Sequence, residues 1–288
     1  MNGVINLYKE KGITSFTAVA AVRRIAKVKK VGHTGTLDPE AEGVLPICIG
    51  KATKLVDYIM AGHKTYRAGF QLGKISDTLD AFGQVENTGQ PLPERETVEE
   101  MLEGFLGQTM QRPPMYSALK INGKRLYDLA REGVEVHREK RPITVYSIEL
   151  SSFDGDSGEV VLKCSKGTYV RSIIDDLGRM IGCGAIMSSL VREGTGSFDI
   201  DKAVTLETLE KEGCKEHLIA MEQVLIDYDA VTIPHGFYKL ITNGVRVKDK
   251  RLTDKTVPGF YRGYSEEGDL LGILERDEDF LYLKVNLM

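Results

Sequence analysis

The residues between Gly32 and Gly43 have the make-up of a chemical site. Gly32, Gly35, Pro39 and Gly43 punctuate this stretch around Asp38. Glycine lets a backbone take positive φ and approach another molecule closely. Pro39 holds the residue before it extended and removes one backbone donor. A loop of this kind presents one carboxylate rigidly, as a nucleophile or general base requires. The same residue types also describe an aspartate that caps a turn, and composition leaves both readings open.

Other sequence patterns were weighed and set aside. Gly50-Lys51 resembles the end of a phosphate-binding loop, but Leu45 stands where that motif needs glycine and Ala52 where it needs Ser or Thr. Ser117-Ala118-Leu119-Lys120 fits the SxxK pattern of some serine acyltransferases, without the SDN and KTG partners. The histidines His33, His63, His137, His217 and His235 show no ligand spacing, and Cys48, Cys164, Cys183 and Cys214 form no CxxC pair. Neither a metal nor a redox site is expected.

The elements that must position Asp38 can be read around it. Val4–Tyr8 reads as a buried strand, and Thr14 or Ser15 caps a helix with Phe16, Val19, Ala20, Val22 and Ala26 on its apolar side. Val44–Ile49 reads as a strand, Lys51–Met60 as a short helix and Lys64–Leu72 as an alternating strand. Gly73–Gly83 is a polar loop and Val98–Leu106 a helix. Thr144–Phe153 and Glu159–Cys164 form a predicted hairpin. Val170–Ile181 is expected helical, Ile186–Glu193 extended and Leu206–Glu212 helical. Strands and helices alternate without strict βαβ order, which favours a mixed sheet. From Val231 the texture becomes short strand-like runs, at Arg246-Val247, Leu270–Leu274 and Phe280–Val285. Residues 1–229 and 230–288 are therefore expected to form two domains, the second small and β-rich.

The 288 residues are 42% hydrophobic and 28% charged, as in a globular chain with a sizeable core. No apolar run reaches the ~18 residues of a membrane span, and the N-terminus lacks a signal-peptide pattern. The cytoplasm is the expected compartment. A net charge of -4 argues at first against a nucleic-acid partner. The charge is uneven, however. Residues 1–70 carry +6 and residues 105–145 carry +4, whereas 71–104 carry -6 and 201–230 carry -5. Two basic segments could meet on one face and bind phosphates, or each could be a solvated surface. If the basic segments do face RNA, the acidic ones are expected to turn away from the Asp38 cleft.

The loop Gly32-His33-Thr34-Gly35-Thr36-Leu37-Asp38-Pro39-Glu40-Ala41-Glu42-Gly43, with Val44-Leu45-Pro46 after it, resembles the signature of the tRNA pseudouridine 55 synthase family (TruB type). Four further segments agree in order. They are Asn6–Lys9 with Gly12, Thr14 and Ser15; Lys64-Thr65-Tyr66 with Leu72-Gly73, Asp77-Thr78 and Asp80; Tyr116–Lys120 with Gly123-Lys124; and Gly167–Ser172 with Asp175–Gly178. Two positions depart from the pattern. Lys9 is followed by Glu10 in place of the usual proline, and Ile75-Ser76 stand where the family carries Arg-Thr.

The resemblance implies a mixed α/β pseudouridine synthase domain with an RNA-gripping insertion at about 109–141. The terminal module resembles a small PUA-like RNA-binding domain, with Asn243-Gly244-Val245 as its main cue. The implied activity is conversion of a uridine in the tRNA T loop to pseudouridine, with no cofactor. On the same basis Asp38 is the catalytic aspartate and Arg171 the arginine that keeps it ionised and aimed. Asp77 is the implied partner of Arg171. Tyr66 would stack on the target base, His33 would fill the place vacated by the flipped base, and Leu190 would line the pocket. Lys9, Lys64, Lys120 and Arg141 are candidate phosphate contacts. The implied partner is the T stem-loop of tRNA. The chain is expected to be a monomer with no obligatory protein partner. The competing readings are a guide-RNA-dependent synthase with a similar core, a non-catalytic RNA chaperone, and an acyltransferase using Ser117.

Overall fold

A computed structural model describes residues 1–117, 119–121 and 123–288. Ala118, inside the Tyr116–Lys120 stretch, lies outside the described residues.

The chain opens with β1 (Gly3–Lys9), α1 (Ser15–Ala26), β2 (Val31–His33) and β3 (Glu42–Ile49). A 3-10 segment at Gly50–Leu55 leads into α2 (Val56–Met60) and β4 (Lys64–Leu72). A small ribbon of β5 (Lys74–Ser76) and β6 (Val85–Asn87) precedes α3 (Arg95–Glu103) and β7 (Gly107–Gln111). A second ribbon, β8 (Lys120–Ile121) and β9 (Lys124–Arg125), and α4 (Leu126–Arg131) stand before the long β10 (Arg141–Asp154). Then come β11 (Ser157–Cys164), α5 (Val170–Ile181), β12 (Ala185–Thr195), β13 (Phe198–Asp199), α6 (Leu206–Glu212) and α7 (Met221–Val224). The last stretch holds β14 (Ala230–Thr232), α8 (His235–Thr242), α9 (Lys250–Thr253), β15 (Gly259–Tyr264), β16 (Leu270–Arg276) and β17 (Leu281–Asn286).

The main sheet runs β1-β3-β12-β4-β11-β10-β7, with β2 and β13 attached at β3 and β12. It is mixed: β12 lies parallel to β3 through Val191–Glu42 and Arg192–Gly43, while its other pairings are antiparallel. Gly43 is required at that junction. Its φ is +105°, and a Cβ there would sit 2.3 Å from the Arg192 carbonyl oxygen.

α1 and α5 pack on the sheet and carry the site's supports. Thr14 caps α1, its Oγ1 accepting from the Thr17 N–H at 3.0 Å. The buried stripe of α1 is Ser15, Ala18, Val19 and Val22. Phe16, expected on the apolar side, is 71% exposed, because one position in the first turn rotates it off that stripe. α5 approaches β12 so closely that a Cβ on Gly178 would lie 2.1 Å from the Ala185 nitrogen. The four cysteines are all buried, and burial pushes the Cys48 thiol up to about 12 and that of Cys164 to about 11.

The terminal stretch is less purely β than its sequence suggests. It contains the four-stranded sheet β14-β15-β16-β17, but α8 and α9 interrupt it, and Val247 meets Leu281 only as an isolated bridge. The helix was hidden because Phe237 and Ile241 are the only fully committed apolar positions of α8. Ile233, Phe237, Ile241, Tyr261, Leu274 and Leu281 form a separate cluster. Ile273 and Leu287 instead join Val4, Val44, Cys48, Leu55 and Val224, so this sheet packs against the back of β1 and β3. No helix among the described residues is long and apolar enough to cross a membrane.

Candidate active site

The loop between β2 and β3 is pinned from three sides. Ser15, buried at the start of α1, uses one hydroxyl twice: it accepts from the Leu37 N–H at 2.9 Å and donates to the Leu37 carbonyl at 3.0 Å. Lys9, at the end of β1, donates to the carbonyls of Ile13 (2.7 Å), Glu10 (3.0 Å) and Pro39 (3.2 Å). Arg192, on β12, donates from Nε to Val44 O at 2.7 Å and from Nη2 to Gly35 O at 3.2 Å. Leu37 and Pro39, the neighbours of Asp38, are thus both held, and the Asp38 side chain is left half exposed.

Arg171 meets that carboxylate. Its Nη2 lies 2.8 Å from Asp38 Oδ2 and 2.9 Å from Tyr116 O; its Nη1 lies 3.1 Å from Thr78 O and 3.4 Å from Asp80 Oδ2. The guanidinium is buried, with only 7% of its side chain exposed, and its planar fork suits four acceptors in fixed places. α5 itself is set by Gln111, whose amide accepts from the Tyr169 N–H at 2.8 Å and donates to Tyr169 O at 3.0 Å.

The residue expected to support Arg171 was Asp77, and the structure corrects this. Asp77 accepts from the Gln84 N–H at 2.7 Å and from the Tyr116 hydroxyl at 3.3 Å, while Asp80 reaches the guanidinium. A turn closed by the Leu79 N–H on Ser76 O, with Leu79 at φ +63°, separates the two aspartates, and the later one meets the guanidinium. This also corrects the charge map. Asp77 and Asp80 belong to the acidic segment 71–104, yet both stand at the cleft. Asp80 is tolerated there because Arg171 compensates it, and Asp77 accepts from Gln84 N–H and the Tyr116 hydroxyl.

Tyr66 faces Arg192 across the β4–β12 pair, and Leu190, half-buried, sits opposite Ala68 on the same strand face. Tyr66 is 7% exposed. Burial pushes its phenol up, with Arg192 opposing. His33, half-buried at the end of β2, is held below its ordinary value by burial and then by Arg192. Lys9 and Lys64 cannot be phosphate contacts in this arrangement. Lys9 is 0% exposed and spends its ammonium on three carbonyls, and Lys64 is 6% exposed. Burial, then Arg192, brings the Lys64 amine down to about 8. Sequence alone suggested surface lysines, because a strand end reads as exposed. Lys120 and Arg141 are exposed, at the start of β8 and of β10.

Arg192 was not anticipated. Its signal was present: it lies two residues after Leu190, so strand alternation places it on the same face. Ser15 and Gln111 were not singled out for these contacts either, and a polar residue that fastens a distant backbone leaves no local pattern.

A mixed sheet thus holds a half-exposed carboxylate against a buried arginine, and the proteins similar to this chain are pseudouridine synthases. The model of the TruB family pseudouridylate synthase N-terminal domain matches residues 23–170, and that of the tRNA pseudouridylate synthase B C-terminal domain matches residues 171–231. A Clostridium perfringens protein named tRNA pseudouridine synthase B is 48% identical over 283 residues, covering 96% of each chain. One of the same name from Clostridium acetobutylicum is 45% identical, covering 97% of each. The crystal structure of a Cbf5-Nop10-Gar1 complex contains a chain that matches with a TM-score of 0.74 at 25% identity, covering 99% of this chain and 85% of that one. The chain belongs to the TruB family of pseudouridylate synthases. The boundary between the two family models falls inside α5, and Asp38 and Arg171 lie on opposite sides of it.

Proposed function

We propose that this chain isomerises uridine to pseudouridine in the T loop of tRNA. The observation that carries the reading is the Asp38–Arg171 pair at 2.8 Å, set by three side chains that hold the Asp38 loop and three further acceptors that hold Arg171. The reaction breaks the bond from uracil N1 to ribose C1′ and makes one from C5 to C1′. The proton leaves C5 and N1 gains one, so no electrons are exchanged and no cofactor is called for.

In this reading Asp38 acts at the ribose C1′ region as nucleophile or base, and Arg171 holds and directs its carboxylate. The target uridine leaves the helical stack and lies against Tyr66 and Leu190, with His33 at the position it vacates. The Thr109–Arg141 insertion, which carries the exposed Lys120 and Arg141, closes over the RNA backbone. Residues 230–288 act as a small PUA-like module that extends the contact beyond the T loop. The relatives' name supports tRNA as the substrate class.

The test is tritium release from a tRNA transcript labelled at uridine C5. Release by the purified chain, lost in Asp38→Asn, is the expected result. A folded wild-type chain that releases nothing would remove the reading, and release surviving Asp38→Asn would remove the assignment of the carboxylate. If Ser117→Ala abolished an esterase activity instead, the acyltransferase reading would return.

A further inference from the structure

One aromatic ring at the site remains without a role. Phe82 is 49% exposed, and the Lys11 ammonium stands 5.0 Å from its ring centroid. Isolated exposed aromatics are ordinary. What distinguishes this one is where its two partners are rooted.

Lys11 lies in the turn after β1, whose next residue, Gly12, donates its N–H to Pro39 O at 2.8 Å. Phe82 donates its own N–H to Asp80 Oδ1 at 3.1 Å, and Asp80 Oδ2 contacts Arg171. A closed circuit therefore runs from Asp38 through Arg171, Asp80 and Phe82 to Lys11, Gly12 and Pro39, and back to Asp38. The ring and the ammonium are both exposed and form a lip on the Asp38–Arg171 pair. The lip is stiff. Ala81 N–H donates to Met187 O at 2.9 Å, and Met187 N–H donates to Leu79 O at 3.1 Å. Gly83 packs so tightly that a Cβ there would lie 2.2 Å from Asp77 Oδ1. A rigidly presented ring loses little freedom on binding.

We infer that Phe82, backed by Lys11, is a stacking platform for a nucleobase next to the target uridine, which makes it a substrate-positioning residue. This rests on the reading of the chain as a synthase acting on tRNA. The chemistry fits a single-stranded nucleotide. A base offers a π-face to the ring, and the ammonium behind the ring lies within reach of the phosphates on either side. When the target uridine leaves the stack, its neighbour loses a stacking partner, and the ring supplies a replacement.

The experiment uses the full chain and a T stem-loop RNA tritiated at uridine C5. kcat and KM are measured for wild type, Phe82→Ala, Phe82→Leu, Phe82→Trp and Lys11→Ala. Loss of one base–aromatic stack is expected to raise KM about 10-fold in Phe82→Ala and Phe82→Leu, with kcat held within about 2-fold. Phe82→Trp should behave as wild type, and Lys11→Ala should give a smaller rise in KM. In parallel, 2-aminopurine replaces the nucleotide on either side of the target, one position at a time. Its fluorescence should be quenched by the wild-type chain at one position and remain unquenched with Phe82→Ala. The inference falls if Phe82→Leu matches wild type, since the ring would then be mere packing. It falls equally if KM is unchanged in Phe82→Ala or if neither probe is quenched. A wild-type chain that neither binds the stem-loop nor releases tritium would overturn the synthase reading itself, before any variant is compared.

Discussion

The Asp38–Arg171 pair depends on atoms outside the pair itself. Asp80 contacts Arg171 Nη1, so Asp80→Asn should let the guanidinium swing and lower kcat by about 10-fold or more, with a smaller effect on KM. Asp77→Asn is the control: its contacts are to Gln84 and Tyr116, so it should leave kcat nearly intact. Steady-state kinetics on one tRNA transcript separates the two. Lys64 allows a pH prediction. Its folded amine titrates at about 8, below the ordinary 10.5 it regains on unfolding. Between those values the unfolded chain binds the extra proton, so this group's destabilisation is full below pH 8 and vanishes as pH rises past 10.5. The stability of wild type relative to Lys64→Met should therefore climb with pH across that window, by up to about 3 kcal/mol, in urea titrations. That Arg171 meets Asp38 was legible through the resemblance of their two motifs to the family's, although 133 residues separate them. Lys9 and Lys64 misled for a physical reason: a lysine stem can run inward from a strand end, and backbone carbonyls that receive its ammonium, such as Pro39 O for Lys9 and Met60 O for Lys64, leave no mark in the sequence pattern.

At the scale of elements, α5 governs where Arg171 stands. A glycine in a helix interior is ordinarily improved by alanine by about 1 kcal/mol. At Gly178 the sign should reverse, because the new Cβ would meet the Ala185 backbone at 2.1 Å and lever the helix away from β12. Gly178→Ala should lower thermal stability by about 1–3 kcal/mol and reduce kcat with it. Loss of Thr14's cap on α1 is a milder event. Thr14→Ala should cost about 1 kcal/mol, read by chemical denaturation, and disturb the Asp38 loop through neighbouring Ser15. Strand and helix positions in the first two hundred residues were legible from periodicity, and α5 and α6 match their expected bounds. The two ribbons β5–β6 and β8–β9 were not, and neither were β2, β7 and α4, since so few residues carry no detectable period. α8 was missed because its short apolar stripe also fits an alternating strand.

Across the whole molecule, the terminal sheet contributes Ile273 and Leu287 to a cluster with Val4, Val44 and Leu55 from the main sheet. A shared cluster couples the two parts. The full chain should unfold in one calorimetric transition, and a chain ended after Asp229 should melt earlier by several degrees rather than survive as an intact catalytic unit. The sequence showed the change of texture near residue 230 but not this docking, because the residues that meet are apolar on both sides and far apart along the chain. The same separation governs Arg192. It fastens Gly35 and Val44 from 157 and 148 positions further on. During synthesis, the loop that carries Asp38 leaves the ribosome early and must wait for β12 before it can be fixed. A nascent chain halted at residue 170 would carry every residue of that loop and lack both arginines that hold it. Completion of the site is therefore a late folding event, slowed by the length of chain that must close on itself, and activity appears only once most of the protein has been made.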